Sequence, residues 1–124
     1  MSDESTEKVT SCPSFDGNAE NYLLWKRRFI AYCAENGCRS SLEVDPELPK
    51  KAGTYDTDAT KAATEKSAEK RNKVAMVLLI MAMSTESLIE LIEDAIAVNP
   101  DFPDGLASEV MKALDRKYIQ EGHG

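Results

Sequence analysis

The sequence predicts an all-α fold, a small bundle of four to five helices. Apolar residues recur at the spacing of a helix face in several segments, and Gly and Pro fall between those segments. No stretch alternates with period two for long enough to predict a strand. A chain of 124 residues can bury one modest core. We therefore divide it into an acidic disordered tail (1–11), a single helical domain (12–119) and a frayed C-terminus (120–124).

Composition excludes several classes of partner. The chain carries 15 Lys and Arg against 22 Asp and Glu, a net charge of −7, which opposes attraction of the whole surface to nucleic acid or anionic membranes. The longest apolar run, 74–83, is about half the length that a bilayer requires. Three cysteines and a polar N-terminus predict reduced thiols in an intracellular compartment. We expect a soluble, cytoplasmic protein with no membrane partner.

The first predicted helix holds most of the aromatic side chains, although aromatics make up only 6% of the chain. Four rings recur at intervals of three or four residues and so lie on one helical stripe, namely Tyr22, Trp25, Phe29 and Tyr32. Three smaller residues widen that stripe: Leu24, Ile30 and Cys33. This crowding predicts where most of the core is found, because each buried ring removes about 150–250 Å² from water.

Capping residues mark both ends of this helix. Asn18 can accept a hydrogen bond from a free N–H of the first turn, and Gly37 can end the helix in a left-handed conformation. Phe15 precedes the cap and can fold back onto the helix as a hydrophobic staple.

A Pro- and Gly-rich connection follows, over 39–55, and breaks any long element. Its apolar residues can still dock onto the core: Leu42, Val44 and Leu48. Thr57 or Asp58 can then cap a helix whose first part, 59–73, consists largely of Ala, Lys and Glu and is expected to face solvent. We predict that the helix continues through 74–83, although a buried strand is the competing interpretation. That run is apolar all round, which predicts burial on more than one side and packing against the Trp25 helix.

Two shorter helices complete the predicted bundle. Ser84 or Thr85 can cap the first, and Asn99-Pro100 ends it. Its apolar face comprises Leu88, Ile89, Leu91, Ile92, Ala95 and Ile96. The stripe of the last helix comprises Leu106, Ala107, Val110, Leu114 and Tyr118.

The first helix also resembles a known family. Phe15-Asp16-Gly17 followed by Asn21-Tyr22-x-x-Trp25-Lys26 resembles the opening of the Gag polyprotein of copia-type LTR retrotransposons. The last helix, with Ala107, Val110, Leu114 and Tyr118, is similar to the last helix of the same region. The resemblance runs from about Cys12 to Tyr118. Its motif and core residues are Phe15, Gly17, Asn21, Tyr22, Trp25, Phe29, Leu114 and Tyr118.

The resemblance implies a fold like that of a capsid N-terminal domain and a structural function. Such a domain self-associates into virus-like particles that package the element's RNA. It also implies that tight RNA binding belongs to downstream segments, such as a zinc knuckle, that lie outside these 124 residues. The alternative is a Gag-derived or unrelated helical adaptor that binds a protein or peptide in a groove between helices.

Candidates for chemistry are few. His123 lies next to the last residue, where it cannot be held in catalytic geometry, and Cys33 lies on the core stripe, where a small buried hydrophobe is the simpler interpretation. Glu90, Glu93 and Asp94 lack the loop spacing of a calcium site. No nucleotide, zinc-protease or hydrolase motif occurs. We therefore predict no enzyme, no catalytic residue, no metal, no cofactor and no small-molecule substrate.

Three surfaces are candidates for contacts. Lys26, Arg27 and Arg28 can contact RNA weakly or form an ordinary solvated helix face. Assembly contacts are predicted on the exposed faces of the first helix and of 84–98, at Arg27, Tyr32, Glu86 and Glu90. A methionine group can be core or an adaptable assembly surface, namely Met76, Met81 and Met83. Trp25 itself is either core or a partner-binding hot spot.

Overall fold

The described residues are mostly helical, with four α-helices, and the prediction of an all-α fold is confirmed. A computed structural model describes residues 11–121, and side chains for 11–119. The helices are α1 (Tyr22–Glu35), α2 (Ala59–Ala82), α3 (Glu86–Ala97) and α4 (Ala107–Asp115). Within the described range the only strand-like pairings are isolated bridges, Phe15 with Met83 and Lys51 with Thr54. The predicted tail before Ser11 and residue His123 lie outside the described residues.

Local signals place the helix ends. The side chain of Asp58, rather than Thr57, accepts from the backbone N–H of Thr60. Thr85, rather than Ser84, accepts from the N–H of Leu88. A 3₁₀ turn (Ala19–Asn21), capped by Asn18, precedes α1, and Gly37 has a φ of +75° just after it ends. Beyond α4 the backbone continues as a π-helical turn, Arg116–Glu121, and residues 122–124 of the predicted frayed end lie outside the described residues.

The segment before α1 connects that helix to α2. The N–H of Phe15 donates to the carbonyl of Ala82 at 2.8 Å, and the N–H of Ser84 donates back to the carbonyl of Phe15 at 3.2 Å. The thiol of Cys12 donates to the carbonyl of Leu78 at 3.4 Å. Phe15 is therefore more than a staple on its own helix, because it pairs with the end of α2, 68 residues further on (83 minus 15).

The apolar second half of α2 is exposed on one face, so the prediction of burial on more than one side is wrong. Leu79 and Ala82 are fully buried, but four apolar side chains of the same run are 37–64% exposed: Val74, Val77, Ile80 and Met81. The other two methionines of this run, Met76 and Met83, are buried in the core. The physical reason is that α2 lies at the edge of a small domain and has neighbours on one side only. Leu24 of α1, predicted to widen the core stripe, is likewise 49% exposed.

Polar side chains of α2 hold the irregular connections. Glu69, 7% exposed, accepts from the N–H of Gly53 at 3.0 Å and from the Tyr55 hydroxyl. Asn72 donates to the carbonyl of Gly105 at 2.8 Å and accepts from the N–H of Ala107 at 2.9 Å. The first half of α2 is otherwise mostly exposed, as predicted. Of the apolar residues expected to dock from the connection, Leu42 is buried, Leu48 half-buried and Val44 exposed.

Candidate functional site

Five aromatic side chains form one cluster at the junction of α1, the Phe15 segment and the end of α4. The Phe15 ring centroid lies 5.3 Å from that of Trp25, 5.5 Å from that of Tyr22 and 5.0 Å from that of Tyr118. Tyr22 stacks on Tyr118 at 5.2 Å, and Trp25 on Phe29 at 5.0 Å. Offset and edge-on pairs at these distances contribute about 0.5–1.5 kcal/mol each beyond their buried area. The motif residues at the two ends of the chain thus form a single unit.

A carboxylate supports this cluster. The Tyr22 hydroxyl donates to Oδ1 of Asp115 at 2.6 Å, and Nζ of Lys26 lies 2.9 Å from both carboxylate oxygens. Burial, followed by the hydrogen bond to Asp115, raises the pKa of Tyr22 well above its ordinary value of 10.0. The indole N–H of Trp25 donates to the carbonyl of Pro13 at 3.0 Å. The Tyr22 hydroxyl and the Trp25 N–H therefore each have a defined partner, which makes their arrangement specific.

The remaining motif residues lie around the rings. Gly17 has a φ of +84°, and a Cβ there would lie 3.7 Å from Leu88 and 3.8 Å from the Tyr118 hydroxyl. Asn21 is exposed and its amide donates to Asp16 at 2.9 Å. Leu114 is fully buried. The motif is therefore a packing unit, and of the two interpretations of Trp25, which is only 4% exposed, the structure favours the core.

The basic triplet of α1 is divided by its environment. Lys26 is engaged in the ion pair with Asp115 and is 26% exposed, which leaves little of its charge for a phosphate. Arg27 and Arg28 are exposed. Only two of the three predicted RNA-contacting side chains therefore point their charge to solvent.

The residues predicted for assembly contacts differ in exposure. Arg27, Glu86 and Glu90 are exposed, and Tyr32 is half-buried and packs partly against the core. Of the exposed apolar residues of α2, Met81 was predicted as a possible assembly contact, whereas Val74, Val77 and Ile80 were not. To predict the exposed face of α2, one would have to know which side of the run 74–83 has no neighbouring element packed against it.

A groove of about 310 Å³ lies between α1, α4 and the 3₁₀ turn Arg39–Leu42. Its apolar lining comprises Ile30, Leu42, Val44 and Met111. Its charged lining comprises Lys26, Arg39, Glu43, Lys112 and Asp115. A groove of this kind can hold apolar side chains of a peptide, with polar groups at its edge to orient them.

Reactive groups are not gathered into a site in the described part of the chain. No group of three or more His, Cys, Asp or Glu side chains is arranged to hold a metal among residues 11–119. Cys33 and Cys38 are fully buried free thiols. A hydrogen bond with Cys38, followed by burial, raises the pKa of Cys33, so its reactive thiolate form is disfavoured. No described helix is both long enough and apolar enough to cross a membrane.

Three polar residues with structural roles were missed from the sequence: Glu69, Asn72 and Asp115. Each lies on a helix among ordinary polar neighbours, and each bonds to a partner at least 14 residues away in the chain. The spacing of residues within one helix does not indicate hydrogen-bond partners that lie so far away in the chain.

Comparison with known proteins adds no relative. No family model matches the chain, and no curated protein or solved structure matches it.

Proposed function

We propose that this protein is a capsid-like structural domain of a copia-type retrotransposon Gag, which self-associates into particles that package the element's RNA. The observation that carries the proposal is the convergence of the motif residues. Phe15 and Tyr22 from one end of the resemblance pack directly on Tyr118 from the other, and Trp25 packs on Phe15 and Tyr22. Short motifs that match a family by chance have no reason to form one cluster, whereas residues that define a fold do.

The surface is compatible with self-association. Four neighbouring apolar side chains of α2 are exposed in the monomer, and large exposed apolar patches mark interaction sites. The exposed faces of α1 at Arg27 and of α3 at Glu86 and Glu90 are the contacts predicted from sequence. A capsid works through many weak repeated contacts, which symmetry and effective concentration multiply. The isolated domain is therefore a monomer in dilute solution. The net charge of −7 opposes tight RNA binding by this domain, which supports the proposal that other segments of the polyprotein bind the RNA.

The test is self-association of the chain alone and of the chain joined to its native downstream coding sequence. Sedimentation and negative-stain imaging should show a monomer at low concentration, association at high concentration, and particles for the longer product. Reversing charge at Arg27→Glu and Glu90→Lys should alter those particles without changing the helical spectrum. If the longer product stays monomeric under every condition, the capsid proposal is wrong.

The groove between α1 and α4 favours one second candidate, a helical adaptor that binds a peptide. Val44 lines the groove and is 70% exposed, so its apolar side chain is accessible to a bound peptide. Selection from a displayed library of amphipathic peptides tests this function, with Val44→Glu as the counter-selection. Peptides that bind the wild type and lose binding to the variant, together with a monomer at every concentration, would support the adaptor over the capsid.

A further inference from the structure

A basic stripe runs along the exposed face of α2. Lys66, Lys70 and Lys73 are exposed at intervals of four and three residues, and Val77 continues the stripe after a further interval of four. Neither Lys70 nor Lys73 forms an ion pair with any described side chain. Lys66 lies 5.2 Å from the ring centroid of Tyr55, which leaves its charge in place. These four residues are called the α2 stripe.

An acidic stripe of the same spacing runs along α3. Glu86, Glu90, Glu93 and Ala97 are all exposed, again at intervals of four, three and four, and are called the α3 stripe. α3 contains no basic residue, and its glutamates form no ion pair with described side chains. Within the same molecule α3 packs against α4, so its stripe stays available. Asp94 is not part of it, because it lines a separate cleft with Arg116 and Lys117.

We infer that the α2 stripe of one copy binds the α3 stripe of the next copy. Every residue of the first stripe then faces the residue twenty positions later in its neighbour (86 minus 66, and so on). Three Lys–Glu pairs form, and Val77 covers Ala97. The inference rests on the proposed function and names its contact. Because the two stripes differ, a copy that uses one stripe can offer the other to a further copy, so the contact can propagate as a ring or an open array.

Charge favours this contact over a contact between the α2 stripes of two copies. Pairing two α2 stripes residue for residue would place lysines against lysines at short range, which is unfavourable. Pairing α2 with α3 places opposite charges together at each of three positions. Exposed pairs are individually weak, which suits an assembly of weak repeated contacts.

Charge reversal with compensation tests the contact. The dissociation constant for self-association, measured by sedimentation equilibrium at low salt, should rise about tenfold for Lys70→Glu and for Glu90→Lys. The double variant carries both reversals, so each copy again offers matching charges and should return to within about threefold of the wild type. Lys50→Glu and Glu20→Lys are matched controls, since they make the same charge changes at exposed positions outside both stripes.

The possible results distinguish a failure of the α2–α3 contact from a failure of the capsid proposal. Rising salt should weaken the association, because it screens attraction; strengthening by salt would show a lysine-against-lysine contact and overturn the inference. Single variants that associate like their controls, or a double variant that is not restored, would also overturn it while leaving the capsid proposal intact. A wild type that never associates, alone or with its downstream sequence, would remove both.

Discussion

Trp25 is held at two points, its ring system and its N–H. The ring system packs against Phe15, Tyr22 and Phe29, and the N–H donates to the carbonyl of Pro13. Truncation of this side chain would remove stacking, leave a cavity and remove the hydrogen bond to the part-buried carbonyl of Pro13. An exposed neighbour on the same helix, Leu24, offers a measure of what an unburied side chain contributes.

The first prediction compares these two positions. Trp25→Ala should lower the free energy of unfolding by about 3–5 kcal/mol, because a large buried ring is lost. Leu24→Ala should lower it by less than about 1 kcal/mol. Urea denaturation followed by far-UV circular dichroism measures both. A loss below about 1 kcal/mol for Trp25→Ala would place that ring at the surface.

The second prediction concerns alkaline pH. The pKa of Tyr22 is raised in the folded state, so above its ordinary value of 10.0 only the unfolded chain releases the proton. The stabilisation is therefore fully present below pH 10 and decreases as the pH rises further, by up to about 1.4 kcal/mol per unit. Tyr22→Phe should show a shallower decrease between pH 9 and 11. Equal slopes in urea titrations would contradict the assignment.

Among the elements, the turn before α4 depends on close packing around a glycine. Gly105 has a φ of +97°, and a Cβ there would lie 2.7 Å from Cγ1 of Ile96 and 2.9 Å from Cε of Met76. Gly53 has a similar φ of +81°, but nothing lies within 4 Å of its would-be Cβ. The two glycines therefore separate backbone strain from steric crowding.

The third prediction follows from that pair. Gly53→Ala should cost about 1–2 kcal/mol, the strain of a left-handed alanine. Gly105→Ala should cost about 1–3 kcal/mol more, because the side chains of Ile96 and Met76 must move. Thermal and urea unfolding of the two variants give the difference. Equal losses would mean that the contacts around Gly105 yield freely.

The two faces of the second half of α2 give the fourth prediction. Leu79→Ala should cost about 2–5 kcal/mol, because Leu79 is fully buried. Ile80 is the next residue, and its side chain is 44% exposed. Ile80→Ser should therefore cost less than about 1 kcal/mol. Urea unfolding at low protein concentration keeps self-association out of the measurement. Similar losses at both positions would mean that the run is buried all round.

Across the whole molecule, sequence predicted what is local and missed what is distant. The helices, the caps at Asp58 and Thr85 and the turn at Gly37 follow from residues a few positions apart. The pairing of Phe15 with the end of α2 joins residues far apart in the chain, and no local pattern signals it. The exposed face of α2 was missed for a related reason. An apolar run indicates that a segment can be buried, but the number of neighbouring helices determines how much of its surface is buried.

The last prediction concerns the charge of the whole molecule and RNA. With a net charge of −7 and Lys26 paired to Asp115, the α1 triplet keeps two cations, Arg27 and Arg28, to contact phosphates. The dissociation constant for single-stranded RNA at physiological salt should therefore be above about 1 µM, without sequence preference. The logarithm of the association constant should fall with the logarithm of the salt concentration with a slope of about −1.4. Fluorescence anisotropy measures both. Arg27→Gln with Arg28→Gln should abolish the salt-dependent part, whereas Arg39→Gln, an exposed cation outside α1, should not. Sub-micromolar affinity at that salt concentration would mean that RNA binding is a function of this domain itself.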